Sequence, residues 1–116
     1  FLHYAERTGP VSIVQEYVGT PDHEYSVAVL SYPDGSFAHC SVVRRYLDSL
    51  LSTRLRVPNL TGQPELGDEL VVSTGFTQGE IDGFTGVREA VIPVAETLDS
   101  TGPLNVQGRL VGSRFY

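Results

Sequence analysis

The feature that most constrains the fold is a series of β-prone segments within Val11–Arg45, joined by connections of only a few residues. Val11–Val18 is rich in β-branched residues, which suit a pleated, half-buried surface. Tyr25–Ser31 alternates between two faces, and Phe37–Arg45 completes the set. Because the connections are too short for a parallel crossover, the stretch predicts a three-stranded antiparallel meander.

The turn between the second and third of these strands has a clear chemical signature. It reads Pro33-Asp34-Gly35-Ser36. Proline presets φ, the aspartate side chain can bond the backbone ahead of it, and glycine accepts a positive φ. The segment therefore predicts a β-hairpin.

The second half of the chain adds one helix and two further strands. Phe84–Leu98 has apolar residues at helical spacing, with Asp82 as a candidate N-cap. Pro93 is expected either to kink this helix or to divide it into two short pieces. Glu69–Thr74 and Leu104–Val111 read as strands, whereas 47–60 gives no clear pattern. We therefore expect an α+β fold, with an antiparallel sheet and one main helix, in which residues 1–116 are a single domain or part of a larger one.

Composition excludes several classes of function. The net charge of −6, with eight arginines and no lysine, argues against a nucleic-acid partner. No apolar run reaches membrane length, so we expect no membrane association, and we favour the cytoplasm. The single cysteine, Cys40, cannot form an internal disulfide and is expected to be a small core residue.

Two groups of polar residues are candidates for a site. Glu16 and Glu24 flank the short connection between the first two predicted strands. Asn105, Gln107 and Arg109 share one face of the last long strand, because successive strand side chains alternate. Each group also has a simpler interpretation, as solvated turn residues and as the solvent-facing side of a sheet.

Two motifs in this order resemble the ATP-grasp superfamily, which includes the large chain of carbamoyl-phosphate synthase. The motifs are IVQEYVG…HEYSVAVLSYPDG and, near the end of the chain, GPLNVQGRL. The resemblance implies that the backbone of Glu16, Tyr17 and Val18 meets the adenine and that Glu24 meets the ribose. It further implies that Asn105 contributes to nucleotide binding and that Gln107 is a ligand to magnesium, or to manganese in its place.

The implied activity is that of a carboxylate–amine or ammonia ligase. In this family ATP phosphorylates a small carboxylate or bicarbonate, and an amine attacks the acyl phosphate. This chain lacks the family's phosphate-binding lysine and the acidic metal ligand that follows the Asn-Val-Gln motif. We therefore expect it to be the C-terminal part of the ATP-grasp domain of a longer parent chain, with no catalytic residue of its own and no activity alone.

Two alternatives stay open from the sequence. The chain is also compatible with a non-enzymatic α+β regulatory or interaction module that binds no nucleotide. Within the basic stretch, Arg44, Arg45, Arg54 and Arg56 form either a solvated surface or a group from which one or two face a phosphate.

Overall fold

The computed structural model describes residues 14–116, which form a five-stranded antiparallel sheet, a separate two-stranded sheet, one α-helix and two short 3-10 helices at Pro21–His23 and Pro64–Leu66. The predicted α+β class is therefore confirmed. The five-stranded sheet has the order β5-β2-β1-β6-β7, and β3 pairs with β4. The elements are β1 (Glu24–Ser31), β2 (Phe37–Arg45), β3 (Thr53–Pro58), β4 (Glu69–Ser73), β5 (Gly79–Ile81), α1 (Thr85–Thr97), β6 (Gly102–Val111) and β7 (Arg114–Phe115).

The β1–β2 hairpin forms around the turn that the sequence predicts. The Gly35 N–H donates to the Tyr32 carbonyl at 2.9 Å, and Gly35 has a φ of 83°. The Asp34 carboxylate accepts bonds from the backbone N–H and the hydroxyl of Ser36. These bonds lower the pKa of Asp34, the Ser36 hydroxyl bond being the larger cause and the backbone bond the second.

One face of the main sheet packs against α1 and forms the core. The alternation of side chains along β1 places Val27 and Val29 on this face, and both are fully buried. Val87 and Val91 of α1 meet them, and Cys40 lies in the same cluster, as predicted. The remaining buried members are Tyr25, Val42 and Ala95, with Leu104, Val106 and Leu110 packed against them.

The helix matches the predicted extent to within one residue at each end, but its start differs from the prediction. Asp82 is not the N-cap: the N-cap is Phe84, which has a left-handed backbone (φ 32°) and makes no side-chain cap bond. The Asp82 carboxylate instead accepts a bond from the Gly83 N–H. Pro93 lies within the helix, and assigned helix continues through it to Thr97.

The first predicted strand, Val11–Val18, is not found in the part of it that the structure describes. Residues 14–18 form no strand, and residues 11–13 lie outside the described part of the chain. The neighbour of β1 on that side is β6, which pairs with it antiparallel from Glu24↔Arg109 to Ser31↔Gly102. β6 pairs with β1 at eight positions, and local β-propensity does not determine which of two candidate strands becomes the neighbour.

The first strand of the β3–β4 hairpin lies within 47–60, the stretch for which the sequence gives no clear pattern. It is joined to the main sheet through side chains, because Arg45 donates to the Ser73 hydroxyl and Arg109 donates to the Val71 carbonyl.

Within residues 14–116, no helix is both long enough and apolar enough to cross a membrane.

Candidate functional site

The face of the main sheet opposite α1 carries the polar residues selected from the sequence. The β1–β6 register pairs Glu24 with Arg109, Ser26 with Gln107 and Ala28 with Asn105. Directly paired residues of an antiparallel ladder project to the same side of the sheet. Glu24, Asn105 and Gln107 therefore share the face opposite α1, which no α-helix within residues 14–116 covers, and we call this the helix-free face.

A cavity of about 450 Å³ opens at one end of this face. Five of the six predicted site residues line it, although they come from two parts of the chain about 90 positions apart. Its volume lies within the usual range for small-molecule sites, roughly 300–1,000 Å³. Asn105 is not part of the lining. The predicted residues in the lining are Glu16, Tyr17, Val18, Glu24 and Gln107, beside Arg109, Tyr116 and residues 71–73.

Asn105 and Gln107 are exposed on β6 and supply neutral oxygen atoms. The Asn105 side-chain oxygen accepts a bond of 3.1 Å from the Ser26 hydroxyl. Residues 14–116 contain no group of three or more histidine, cysteine or acidic residues that could hold a metal ion. Magnesium is usually held by one or two carboxylates together with water and substrate phosphates. The Gln107 amide oxygen is neutral and a weaker donor than a carboxylate, so a metal ion here would depend on phosphate oxygens that a nucleotide brings.

Glu24 lies in a buried cluster of three charges. Its Oε1 accepts a bond of 2.7 Å from Arg45 Nη1, and its Oε2 accepts one of 3.0 Å from Arg109 Nε. All three residues are buried. One carboxylate thus balances two guanidinium groups, which gives this charge cluster a net charge of +1. We refer to Glu24, Arg45 and Arg109 as the charge cluster.

Arg45 connects the charge cluster to the chain that follows β4. Its Nη2 donates to the carbonyls of Thr74 at 2.8 Å and Phe76 at 2.7 Å. Its Nε is buried and has no hydrogen-bond partner among residues 14–116. Arg45 therefore joins residues 73–76 to the start of β1 at Glu24.

The sequence reasoning missed that Glu24 is enclosed by arginines. A signal was present, because counting outward from the Pro33–Ser36 turn brings Glu24 opposite Arg44 or Arg45. The β1–β2 register, which pairs Tyr25 with Arg44, selects Arg45. The contribution of Arg109 had no local signal, because it depends on the pairing of β1 with β6.

The segment Glu16–Val18 forms one wall of the cavity and is tethered at two side chains. The Tyr17 hydroxyl donates to the Val71 carbonyl at 3.3 Å and accepts from the Val71 N–H at 2.9 Å. Arg109 Nη1 donates to the carbonyls of Val18 at 3.1 Å and Gly19 at 3.4 Å. The Arg109 guanidinium also lies 4.3 Å from the centroid of the Tyr17 ring.

The basic stretch is mostly occupied by ion pairs. Arg44 pairs with Glu80, whose charge raises the pKa of Arg44, and Arg56 pairs with Glu69. Arg45 belongs to the charge cluster, and Arg54 is exposed on β3. Neither Arg44 nor Arg54 nor Arg56 lines the 450 Å³ cavity.

Comparisons of the chain with protein-family models, with curated proteins and with solved structures find no match. The relation to the ATP-grasp superfamily accordingly stays a prediction from the sequence motifs.

Proposed function

We propose that the cavity and the adjoining helix-free face bind ATP together with magnesium, as the nucleotide-contacting part of an ATP-grasp carboxylate–amine or ammonia ligase. One observation carries the proposal. Residues chosen from the sequence as adenine, ribose and metal contacts line a single cavity of suitable volume. The β1–β6 pairing brings Gln107 to the cavity that Glu16–Val18 and Glu24 line.

In this proposal each part of the cavity lining has one role. The backbone of Glu16–Val18 offers hydrogen-bonding groups to the base, and Gln107 offers its amide oxygen to the metal ion. Glu24, which lines the same cavity, meets the ribose. A carboxylate has about four lone-pair sites, so each oxygen can accept a ribose hydroxyl in addition to its arginine.

The chemistry of the ligase requires groups beyond those on this face. Magnesium and cationic side chains stabilise the charge on a transferring phosphoryl group. Among residues 14–116, the face supplies neutral oxygens beside a charge cluster whose arginines are already engaged. Residues 1–116 alone should therefore bind nucleotide weakly, with a dissociation constant of about 1 mM at best, and should not hydrolyse ATP.

The test is an NMR titration of the ¹⁵N-labelled chain. Addition of a non-hydrolysable ATP analogue with magnesium should shift the amide signals of 16–18 and of 105–109 in a saturable way. Manganese in place of magnesium should broaden the signals around Gln107 most strongly, because paramagnetic broadening falls steeply with distance from the ion.

The matched variants are Gln107→Ala and Gln63→Ala, since both glutamines are exposed. Gln107→Ala should weaken the nucleotide-dependent manganese effect, whereas Gln63→Ala should leave it at the wild-type level. A manganese effect that is centred elsewhere, or that is equal in the two variants, contradicts the proposed site.

A second candidate is a non-enzymatic α+β module, and the charge cluster favours it. Both oxygens of Glu24 are bonded to buried arginines, which is a sufficient structural reason for a glutamate at this position. This candidate predicts no saturable shift with any nucleotide. The same titration therefore distinguishes the two candidates.

A further inference from the structure

Arg109 borders the cavity, yet its hydrogen-bonding capacity is already used within the protein. Nε donates to Glu24, Nη1 donates to the Val18 and Gly19 carbonyls, and Nη2 donates to the Val71 carbonyl. Nη2 also lies 3.0 Å from Glu24 Oε2. A guanidinium has five N–H groups, so a ligand could bond to Arg109 only by displacing one of these contacts. Arg109 is thus suited to hold the protein in place and not to bind the ligand.

Neutralisation of Glu24 does not explain the second arginine. Arg45 already pairs with Glu24 at 2.7 Å, and its side chain is fully buried. A second buried cation in the same cluster carries a desolvation cost. What Arg109 adds is a connection between three backbone segments. They are β6, β4 at Val71, and Val18–Gly19, of which Val18 lines the cavity.

Tyr17 provides a second connection between the same segments. Its hydroxyl bonds both the N–H and the carbonyl of Val71, so it takes the place of a strand partner on that edge of β4. Its ring lies against the Arg109 guanidinium, which favours a single orientation for both side chains. Residues 14–18 have no strand ladder of their own, so these side chains provide the hydrogen bonds described for this segment.

We propose that Arg109 and Tyr17 are positioning residues that determine base selectivity by fixing the backbone of Glu16–Val18 beside the cavity. The inference rests on the proposed nucleotide site and assigns separate roles to two parts of it. The fixed backbone of Glu16–Val18 forms hydrogen bonds to the edge of the base, while β6 at Gln107 contacts the metal and the phosphates. Loosening the tethers then reduces the discrimination between adenine and guanine without weakening the binding of the phosphate chain.

The experiment compares three ligands by NMR titration in magnesium: ATP, GTP and inorganic tripolyphosphate. The variants are Arg109→Lys, which keeps the charge but cannot reach four acceptors, and Tyr17→Phe, which keeps the ring but loses the hydroxyl. The controls are Arg54→Lys and Tyr32→Phe, because both residues are exposed and do not line the cavity. Thermal unfolding checks that each variant is folded.

We expect the preference of the wild-type chain for ATP over GTP to fall by about fivefold or more in each variant, corresponding to the loss of roughly one oriented hydrogen bond. The affinity of each variant for tripolyphosphate should stay within about twofold of the wild-type affinity. Neither substitution changes Gln107, the proposed contact to the metal and its phosphates. The control variants should keep the wild-type preference. If Arg109→Lys does not fold, Tyr17→Phe decides the question.

Three results would overturn the inference. Unchanged base preference in folded Arg109→Lys or Tyr17→Phe means that the tethers do not position the base-reading backbone. Equal loss for ATP and tripolyphosphate means that the residues support the whole site. Binding of none of the ligands by the wild-type chain overturns the proposed nucleotide site itself, and with it this inference.

Discussion

Replacement of Glu24 by alanine should destabilise the fold far more than replacement of an exposed glutamate. Glu24 is the only carboxylate bonded to Arg45 and Arg109 in the described structure, and its side chain is 10% exposed. Removing it leaves two guanidinium groups buried without a counter-charge. A buried cation can neither be solvated nor readily lose its proton when it is an arginine.

The expected cost is about 3–5 kcal/mol in the free energy of unfolding, the usual range for breaking a buried ion pair from one side. The side chains of Arg45 and Arg109 are 0% and 10% exposed, so solvent screening reduces this value little. A domain is typically stable by only about 5–15 kcal/mol. In urea unfolding followed by circular dichroism, the midpoint should fall by at least about 1 M.

Glu80→Ala is the matched control, because Glu80 pairs with Arg44, the neighbour of Arg45 on β2. Both side chains of that pair are 40% exposed, so its removal should change the midpoint little. If Glu24→Ala and Glu80→Ala show the same midpoint, the charge cluster is not buried as described, and the reasoning is refuted. A loss of nucleotide binding by Glu24→Ala without loss of stability would instead support a direct role with the ribose.

Two further predictions concern single local features. Pro93→Ala should raise the free energy of unfolding by about 1–3 kcal/mol in the same urea assay, because a proline inside α1 removes a backbone hydrogen bond. An unchanged or lower urea midpoint would show that the helix is adapted to proline at this position. Asp34→Ala should lower the midpoint at neutral pH and lose this effect in acid. Since hydrogen bonds from Ser36 lower the folded-state pKa of Asp34, its contribution is present above its ordinary value of 3.8 and disappears as the pH falls through the lowered value; a difference between variant and wild type that persists at the lowest pH would contradict this origin.

The local elements could be read from the sequence because their signals act over a few residues. The Pro33–Ser36 turn combines a preset φ, an aspartate that bonds ahead and a glycine with positive φ, and the structure has all three. The spacing of Val87 and Val91 places both on the buried face of α1. Val94 and Leu98 are exposed although they belong to the predicted apolar stripe. The buried positions of α1 recur every four residues, so the residue that follows Val91 on the buried face is Ala95.

Five of the six residues that the sequence selected line the cavity. The sequence did not indicate what each residue does there. Glu24 was expected to face a ribose, and its environment consists of two arginines contributed by the neighbours of β1 on either side. Whether a carboxylate is free or paired depends on which strands adjoin it.

The sequence by itself determined the α+β class, the hairpin, the helix and the alternation of polar residues along β6, because each follows from backbone preferences and from the periods of helix and strand. Only the tertiary structure decided that β6, and not residues 14–18, pairs with β1 on that side. Only that pairing brings Arg109 beside Glu24, closes the charge cluster and places Gln107 on the cavity that Glu16–Val18 borders. Such contacts join residues more than 80 positions apart, and their energies depend on burial and geometry that arise when the sheet assembles.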